Sequence, residues 1–500
     1  MSRSRGRFLS DIAYSTITWG VGMVALFVIS PVLARTLGVY EYGLWSLARR
    51  VYTVAWPLAV MGLTSSIVRY VSMVRVTDPD RARTYAGIGS NLTAGSALIV
   101  VGILLAINRW VSVGILDDEN LIPLLPIVAI TIWLDAQVQT LQSILRSYGF
   151  IKDQSTFTLL AGVLNLVGGI ALALVISAQA RIALWGLVAA SVVVFILQVL
   201  WGIRRGTPIV GCRWDWKAAK DLLVYGVPRI PAGFLLNMIL AADTFFVGAM
   251  MSVTDAGYFD IASKLFGIAA GMMSPVANVA FPWFSELIGL QAERRIHLYL
   301  TYLLSFALYI GLFLSVIMAI LAQPIVIALY TEEFSQAIAP LAVIMLGAVF
   351  YAFYIALRGY VAAYTVNPVL MYFLAIALLI NVGLNAFLIP LYGSVGAAVG
   401  TVSAFAVLGS LTVVYTWRIH PLKWRELQVG RLPLALLPPA AVALFLHPFL
   451  DNLLFLVLGG ALIGLIFIGM LWVLKVNWFV TIRDLVLGQL GRVSLLNKQE

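Results

Sequence analysis

Two adjacent arginines, Arg49 and Arg50, end the stretch GVYEYGLWSLARR (residues 38–50), which lies between two long apolar segments. A charged side chain at the centre of a membrane helix costs ~2.5 kcal/mol or more, so it is expected to face a cavity, a partner or a ligand. Counted from Gly43 at 1.5 Å per residue, the pair lies about 10 Å below the surface from which the helix starts. Ser46 and Thr53 extend it into a polar stripe at helical spacing. Guanidinium groups bind phosphate and carboxylate in a fixed fork geometry, so the chemistry on offer is anion binding. The alternative is that both arginines snorkel to the outer headgroups. The cavity reading is favoured because outer snorkelling opposes the sidedness of basic residues in membrane proteins.

Other polar groups lie in equally apolar surroundings. Asp135, Gln139, Gln142 and Arg146 fall at i, i+4, i+7 and i+11, on one narrow face of a helix. That face reads as the wall of an aqueous cavity, the alternative being a buried hydrogen-bonded seam between helices. A later helix presents Gly347, Tyr351, Tyr354 and Arg358 in the same pattern. Tyrosines of this kind suit stacking on sugar rings, although packing or interfacial anchoring are their commoner uses. Snorkelling accounts equally well for Arg146, Arg229 and Arg358, which lie near helix ends. Lys264 has Asp260 one turn before it and Asp243 at similar depth on the preceding helix, so an ion pair is expected there. Ser46 and Ile29 occupy the matching positions around the arginines, which on this reading are less compensated and the better anion site. Asp135, Asp243 and Asp260 are also candidates for coupling to H⁺ or Na⁺.

The elements that carry these residues follow from composition. The 500 residues are 62% hydrophobic and 11% charged, against roughly 45–50% and 25% in a soluble globular chain. Apolar runs of about 20 residues, enough to cross a ~30 Å hydrocarbon layer, recur from end to end. Fourteen spans are expected, near 12–34, 43–71, 84–107, 121–146, 155–176, 183–203, 222–250, 256–285, 298–322, 337–358, 369–388, 395–417, 432–450 and 454–474. The N-terminal run is too long for a signal-peptide core and reads as a retained first span. Of the 32 Lys and Arg residues, 22 fall in loops on the side of both termini and 3 in loops on the other. That asymmetry predicts cytoplasmic termini in a cell membrane. The net charge of +10 is thereby explained without nucleic acid.

Cys212 is the only cysteine, so a disulfide within the chain is excluded. His297, His420 and His447 lack metal-ligand spacing, there is no Walker loop, and Asp78 and Asp80 read as a solvated turn. Neither an enzyme nor a cofactor is expected. From Lys475 onward, Trp478, Phe479, Ile482, Leu485 and Leu490 among scattered charges suggest an interfacial helix.

The segment VYEYGLWSLARR (residues 39–50) repeats as VTDAGYFDIASK (residues 253–264) at a fixed offset of 214, and ILRSYG (144–149) repeats as ALRGYV (356–361) at 212. The second and eighth spans thus correspond, as do the fourth and tenth. Six spans separate the copies, so they share orientation and form a parallel repeat. The all-α chain accordingly divides into an N-terminal lobe (1–205), a linker (206–221), a C-terminal lobe (222–425), two extra spans (426–474) and an amphipathic tail (475–500).

With ARTLGVYEYGLWSLARR (34–50), GLTSSIVRYVS (62–72), AADTFFVGAMMSVTDAGYFDIASKL (241–265) and IPLYGSVGAAVGTVSAF (389–405), the chain resembles the polysaccharide-export flippases of the Wzx type, relatives of the MATE exporters and MurJ flippases. The resemblance implies a two-lobed bundle of fourteen helices with a central cavity between the lobes. It further implies alternating-access transfer of an isoprenoid-pyrophosphate-linked oligosaccharide, with membrane lipids and the pathway's glycan polymerase or glycosyltransferases as partners. It carries the role of meeting the pyrophosphate onto Arg49 and Arg50, and onto Lys264. A MATE-like antiporter would have an acidic lumen and twelve spans; a membrane glycan polymerase would need large outer loops, and here those loops are short.

Overall fold

A computed structural model describes residues 30–205, 214–271, 280, 284, 287–365, 368–450 and 452–480, which are helical with no strand among them. The expected first span lies almost wholly outside the described residues. So do Cys212 and most of the tail beyond Lys475, as well as much of the second half of the span expected at 256–285. Ten of the described helical segments are long and apolar enough to cross a membrane, or eleven if a bent pair is counted as one span, as befits a multi-pass membrane protein.

By backbone contact the chain forms two compact units, one comprising residues up to Ile261 with Asn385–Ser394, the other Ala262–Leu384 with the remainder. The first contains α1 (Val39–Val60), α2 (Leu63–Val74), α3 (Pro79–Arg109), α4 (Leu124–Ser147), α5 (Ile151–Val175), α6 (Ala180–Arg205), α7 (Trp216–Gly226), α8 (Ile230–Met250) and the start of α9 (Val253–Gly271). Its core joins Leu63, Ile67, Tyr85, Ile88, Leu141 and Leu222, drawn from α2, α3, α4 and α7. Elsewhere α3 turns Leu98, Ile99 and Ile103 outward, as a helix bathed in lipid does.

The expected second span is not one straight helix. Pro57 removes a backbone donor, and Met61 and Gly62 both adopt left-handed φ values, 48° and 67°, so α1 stops and α2 begins afresh. The span expected at 337–358 is likewise the bent pair, turning by 50° between Met345 and Ala348. The run Val369–Ile419 is two helices about Gly393, where φ is 58°.

Polar residues fix where helices start. Asp78 accepts the Arg81 N–H ahead of α3, with Pro79 in the first turn, and Asp215 accepts the Lys217 and Ala218 N–H groups at the start of α7. The Asp78 and Asp80 motif is thus a helix start, with Asp80 3.4 Å from Arg83 in a solvated pair.

The two copies of the repeated segment touch. A methyl group built on Gly43 would lie 2.2 Å from the Val253 carbonyl oxygen, and one built on Gly257 would lie 3.0 Å from the Gly43 Cα and 3.3 Å from the Val39 carbonyl. Gly43 and Gly257 are the same position of the repeat, so the approach of α1 to α9 is reciprocal and admits no side chain on either strand of the contact.

In the second unit, α10 (Glu293–Ile320), α11 (Ala322–Tyr330), α12 (Ile338–Met345), α13 (Ala348–Tyr364), most of the Val369–Ile419 pair (α14), α15 (Leu432–Leu446) and α16 (Leu453–Val473) enclose two cores. One of these overturns part of the interfacial reading of the tail. Trp478 is buried with Tyr309, Leu432, Phe467 and Leu471, its ring edge-on to Phe306 at 5.0 Å. Once Lys475 turns the chain at a positive φ of 49°, Trp478 folds back onto the bundle.

Gly43→Ala is expected to lower the thermal unfolding midpoint of the detergent-purified protein by an amount equivalent to about 1–3 kcal/mol, the range for overpacking a tight contact. Gly95→Ala and Gly102→Ala, which meet open space, are expected to leave the midpoint unchanged or raise it.

Candidate functional site

On a helix, adjacent residues project about 100° apart, so Arg49 and Arg50 leave α1 in different directions. Arg50 turns towards α8 and α9. Its Nε and Nη2 donate to Asp260 Oδ1 at 3.0 and 2.8 Å, and its Nη1 donates to the Leu240 carbonyl at 2.8 Å. The other oxygen of Asp260 accepts from the Tyr42 hydroxyl at 3.3 Å, and that hydroxyl shares a 2.9 Å hydrogen bond with Ser30. The side chain of Asp260 is 2% exposed and that of Arg50 12%, so this is a buried pair with its surplus donors and acceptors occupied. The expectation that both arginines are poorly compensated is therefore corrected at Arg50, to which Asp260, the acid one turn before Lys264, bonds across from α9. The reason is geometric: helical side chains lean towards the N-terminus, and Arg50, seven residues past Gly43, reaches back to Asp260, three residues past Gly257. Arg50 is held between helices rather than extended to the helix end.

Arg49 takes the other direction. Its guanidinium lies over the Tyr52 ring, 4.4 Å from the centroid, and within electrostatic reach of Asp135 on α4. Among the described residues no carboxylate pairs directly with it. Tyr52 donates to Asp135 Oδ2 at 2.9 Å and Ser191 on α6 donates to Oδ1 at 2.6 Å, so both oxygens of that carboxylate are engaged. Arg49 itself is half-buried, about 15 Å along α1 at 1.5 Å per residue.

The other sequence-derived residues separate. The single polar face expected on α4 divides: Asp135 and the buried Gln142 bond to neighbouring helices, Gln142 accepting from Thr158 on α5 at 3.1 Å, whereas Gln139 and Arg146 are exposed. At Asp135 and at Gln142 the face is thus hydrogen-bonded to its neighbours, because α1, α5 and α6 each supply a hydroxyl. Asp243 is buried and accepts from Asn385 at 2.6 Å. In the second unit Lys264 is half-buried. Tyr351 is buried against Phe405 and Phe266, with centroids at 4.9 and 5.9 Å, and Tyr354 is buried beside Arg358, whose guanidinium lies 6.0 Å from the Tyr354 ring centre. The tyrosine face expected to stack on sugars is packed against aromatic neighbours in this conformation.

Sequence reasoning missed Tyr42, Tyr52, Ser191, Leu240 and Asn385. Tyr42 and Tyr52 carried a signal, lying a turn from Ser46 and Arg49; the other three are far away in sequence and carried none. It also left two histidines unassigned that the fold pairs: His297 with Glu426 at 2.9 Å and His420 with Glu293 at 3.1 Å, both at the start of α10. Among the described residues no group of three or more His, Cys, Asp or Glu side chains is placed to hold a metal ion.

These features define a helical multi-pass membrane protein whose α1 carries two adjacent arginines within an apolar segment. Residues 32–339 match the polysaccharide biosynthesis protein family, and the chain belongs to that family. The resemblance read from the sequence is borne out. No curated protein matches the chain in sequence. Among solved structures, the lipid II flippase MurJ in an inward closed conformation superposes with a TM-score of 0.75 at 16% identity, over 94% of this chain and 99% of that one. A multidrug resistance MATE family transporter of the MOP superfamily, inward-facing, gives 0.68 at 14%, over 81% and 98%. A MOP superfamily transporter from Pyrococcus furiosus, described as having a binding pocket of reverse polarity, gives 0.60 at 14%, over 82% and 95%. At these identities the likeness establishes the fold.

Removing one partner of the buried pair is expected to cost about 3–5 kcal/mol, because the other is left charged and unpaired. Asp260→Leu should therefore lower the unfolding midpoint sharply, and the double variant Arg50→Met with Asp260→Leu should recover most of the loss.

Proposed function

We propose that the protein moves a lipid-linked oligosaccharide, carried on an isoprenoid pyrophosphate, from the cytoplasmic to the outer leaflet by alternating access, for assembly of a cell-surface glycan. The observation that carries this reading is the half-buried guanidinium of Arg49, which has no carboxylate partner among the described residues, in a chain of the polysaccharide biosynthesis family. A lipid-linked sugar keeps its tail in the bilayer while its charged head must cross a dry layer. Cationic groups at mid-depth offset the desolvation of that head, and guanidinium donors match pyrophosphate oxygens. Arg49 is assigned to the pyrophosphate. Arg50 is reassigned to positioning, since its donors are spent on Asp260 and Leu240.

Lys264, Arg146 and Arg358 are proposed as further cationic contacts along the path, and Gln139, Gln142, Tyr351 and Tyr354 as sugar contacts in the conformations that expose them. Alternation would run between the N-terminal lobe (1–205) and the C-terminal lobe (222–425), with both termini cytoplasmic. The polymerase or glycosyltransferases of the same pathway are the proposed partners. A second reading, cation-coupled antiport, draws on the buried carboxylates Asp135 and Asp243.

The test is reconstitution into liposomes with fluorescent lipid-linked oligosaccharides, scored by the fraction reaching the opposite leaflet. Wild type is expected to equilibrate the probe and Arg49→Gln to slow it at least tenfold with an unchanged unfolding midpoint, whereas Arg49→Lys keeps part of the rate. An Arg49→Gln variant as fast as wild type would remove the assigned role of Arg49. Failure to move several glycans combined with export of a cationic dye would favour the antiporter.

A further inference from the structure

Helix α7 presents two faces of opposite character. Its inner face is seated tightly: Ala218, Ala219 and Leu222 are buried, the Ser66 hydroxyl donates to the Leu222 carbonyl at 2.9 Å, and Tyr85 donates to Asp221 at 2.7 Å. Gly226 meets the break between α1 and α2, since a methyl group on Gly62 would lie 2.5 Å from the Gly226 carbonyl oxygen. These contacts set the helix's height. Leu222 is level with Ser66 and Asp221 with Tyr85, so Trp216, six residues before Leu222 and about 9 Å away, is level with the turn between α2 and α3. There the chain leaves the apolar layer: α2 ends at Val74 and α3 starts at Pro79.

The outer face at that level is apolar and basic at once. Trp216 is 77% exposed, packed edge-on to the exposed Trp214 at 5.4 Å, and Met73 and Val76 on the neighbouring turn are also exposed. Lys217 and Lys220 project from the same exposed side, and among the described residues neither ammonium reaches a carboxylate. The nearby acids are otherwise engaged: Asp215 and Asp78 cap helices, Asp80 pairs with Arg83, and Asp221 accepts from Tyr85. Tryptophans at the level where helices leave the hydrocarbon, beside lysines without counterions, match a lipid that offers both an acyl chain and a negative headgroup.

We propose that the outer face of α7, made by Trp214, Trp216, Lys217 and Lys220, is a binding surface for anionic phospholipid in the adjoining leaflet. The tryptophans lie at the acyl boundary and the lysines meet the phosphodiesters. Because the inner face of α7 is seated on the break at Met61 and Gly62, lipid held there bears on the hinge of the helix that carries Arg49. The inference does not depend on the nature of the transported substrate.

The experiment is hydrogen–deuterium exchange of the full-length protein in nanodiscs of phosphatidylcholine alone, and of phosphatidylcholine with phosphatidylglycerol at 7:3. Amides of 216–226 are expected to exchange several-fold more slowly in the anionic discs, and 1 M NaCl should remove the difference. In Lys217→Gln/Lys220→Gln the difference should vanish, while exchange in Leu63–Val74, the folding control, stays as in wild type. Equal exchange in the two disc types overturns the proposal, as does a lysine variant that keeps the lipid difference. A cover supplied by another segment of this chain would give the first of those results.

Discussion

The bond between Arg50 and Asp260 is the constraint around which the first unit is organised. Two ions in an apolar layer carry a desolvation cost of several kcal/mol each, repaid only where geometry is good and the remaining lone pairs and protons are satisfied. Here one carboxylate oxygen takes two guanidinium donors and the other takes Tyr42, while the third donor direction of Arg50 finds the Leu240 carbonyl. Such a pair has one geometry in which it is tolerable. It therefore fixes the rotation and height of α1 against α8 and α9, which apolar contacts alone would leave free to slide. In lipid, where no hydrophobic force drives helices together, close packing of small residues must supply the rest. The reciprocal contact at Gly43 and Gly257 does so a few residues away.

The two devices depend on each other. Without side chains at Gly43 and Gly257, α1 and α9 approach until backbone meets backbone, and only at that separation does Arg50 span to Asp260. A larger residue at either glycine would wedge the helices and leave both charges stranded. The matched segments share the glycine but differ a turn later, with Ser46 in one and Asp260 in the other. The pair is thus asymmetric within a nearly symmetric frame. That asymmetry misled the sequence reading, which compared each basic residue with acids on its own copy rather than across copies.

Much of the architecture was legible because a bilayer makes helices obligatory and hydropathy marks them. Ends set by local chemistry were legible in kind: Asp78 before Pro79 is a helix start by inspection. The break at Met61 and Gly62 was less so, since residues 43–71 are apolar enough throughout to read as one helix, and only the left-handed backbone divides them. At the candidate site the residue types were legible but their partners were not. Asp260 lies 210 positions from Arg50 and Ser191 lies 56 from Asp135, separations at which a helical wheel is silent. The wheel put Asp135, Gln139, Gln142 and Arg146 on one face, but could not say that hydroxyls from three helices would claim Asp135 and Gln142 while Gln139 and Arg146 stay exposed.

The adjacency of Arg49 and Arg50 then acquires a physical sense. Neighbours on a helix diverge by about 100°, so a double arginine sends one cation to each side of α1. The side facing α9 holds a carboxylate with capacity to spare, and Arg50 fills it. The side facing α4 holds Asp135, whose two oxygens already accept short hydrogen bonds from Ser191 and Tyr52. Asp135 can thus lower the cost of a nearby guanidinium through space without consuming its N–H groups, and the Tyr52 ring supports the cation from its face. Arg49 is stabilised as a charge but its donors are not spent on protein groups among the described residues. A guanidinium in that condition is suited to an acceptor that arrives and leaves, whereas one bonded as Arg50 is suited to holding helices together.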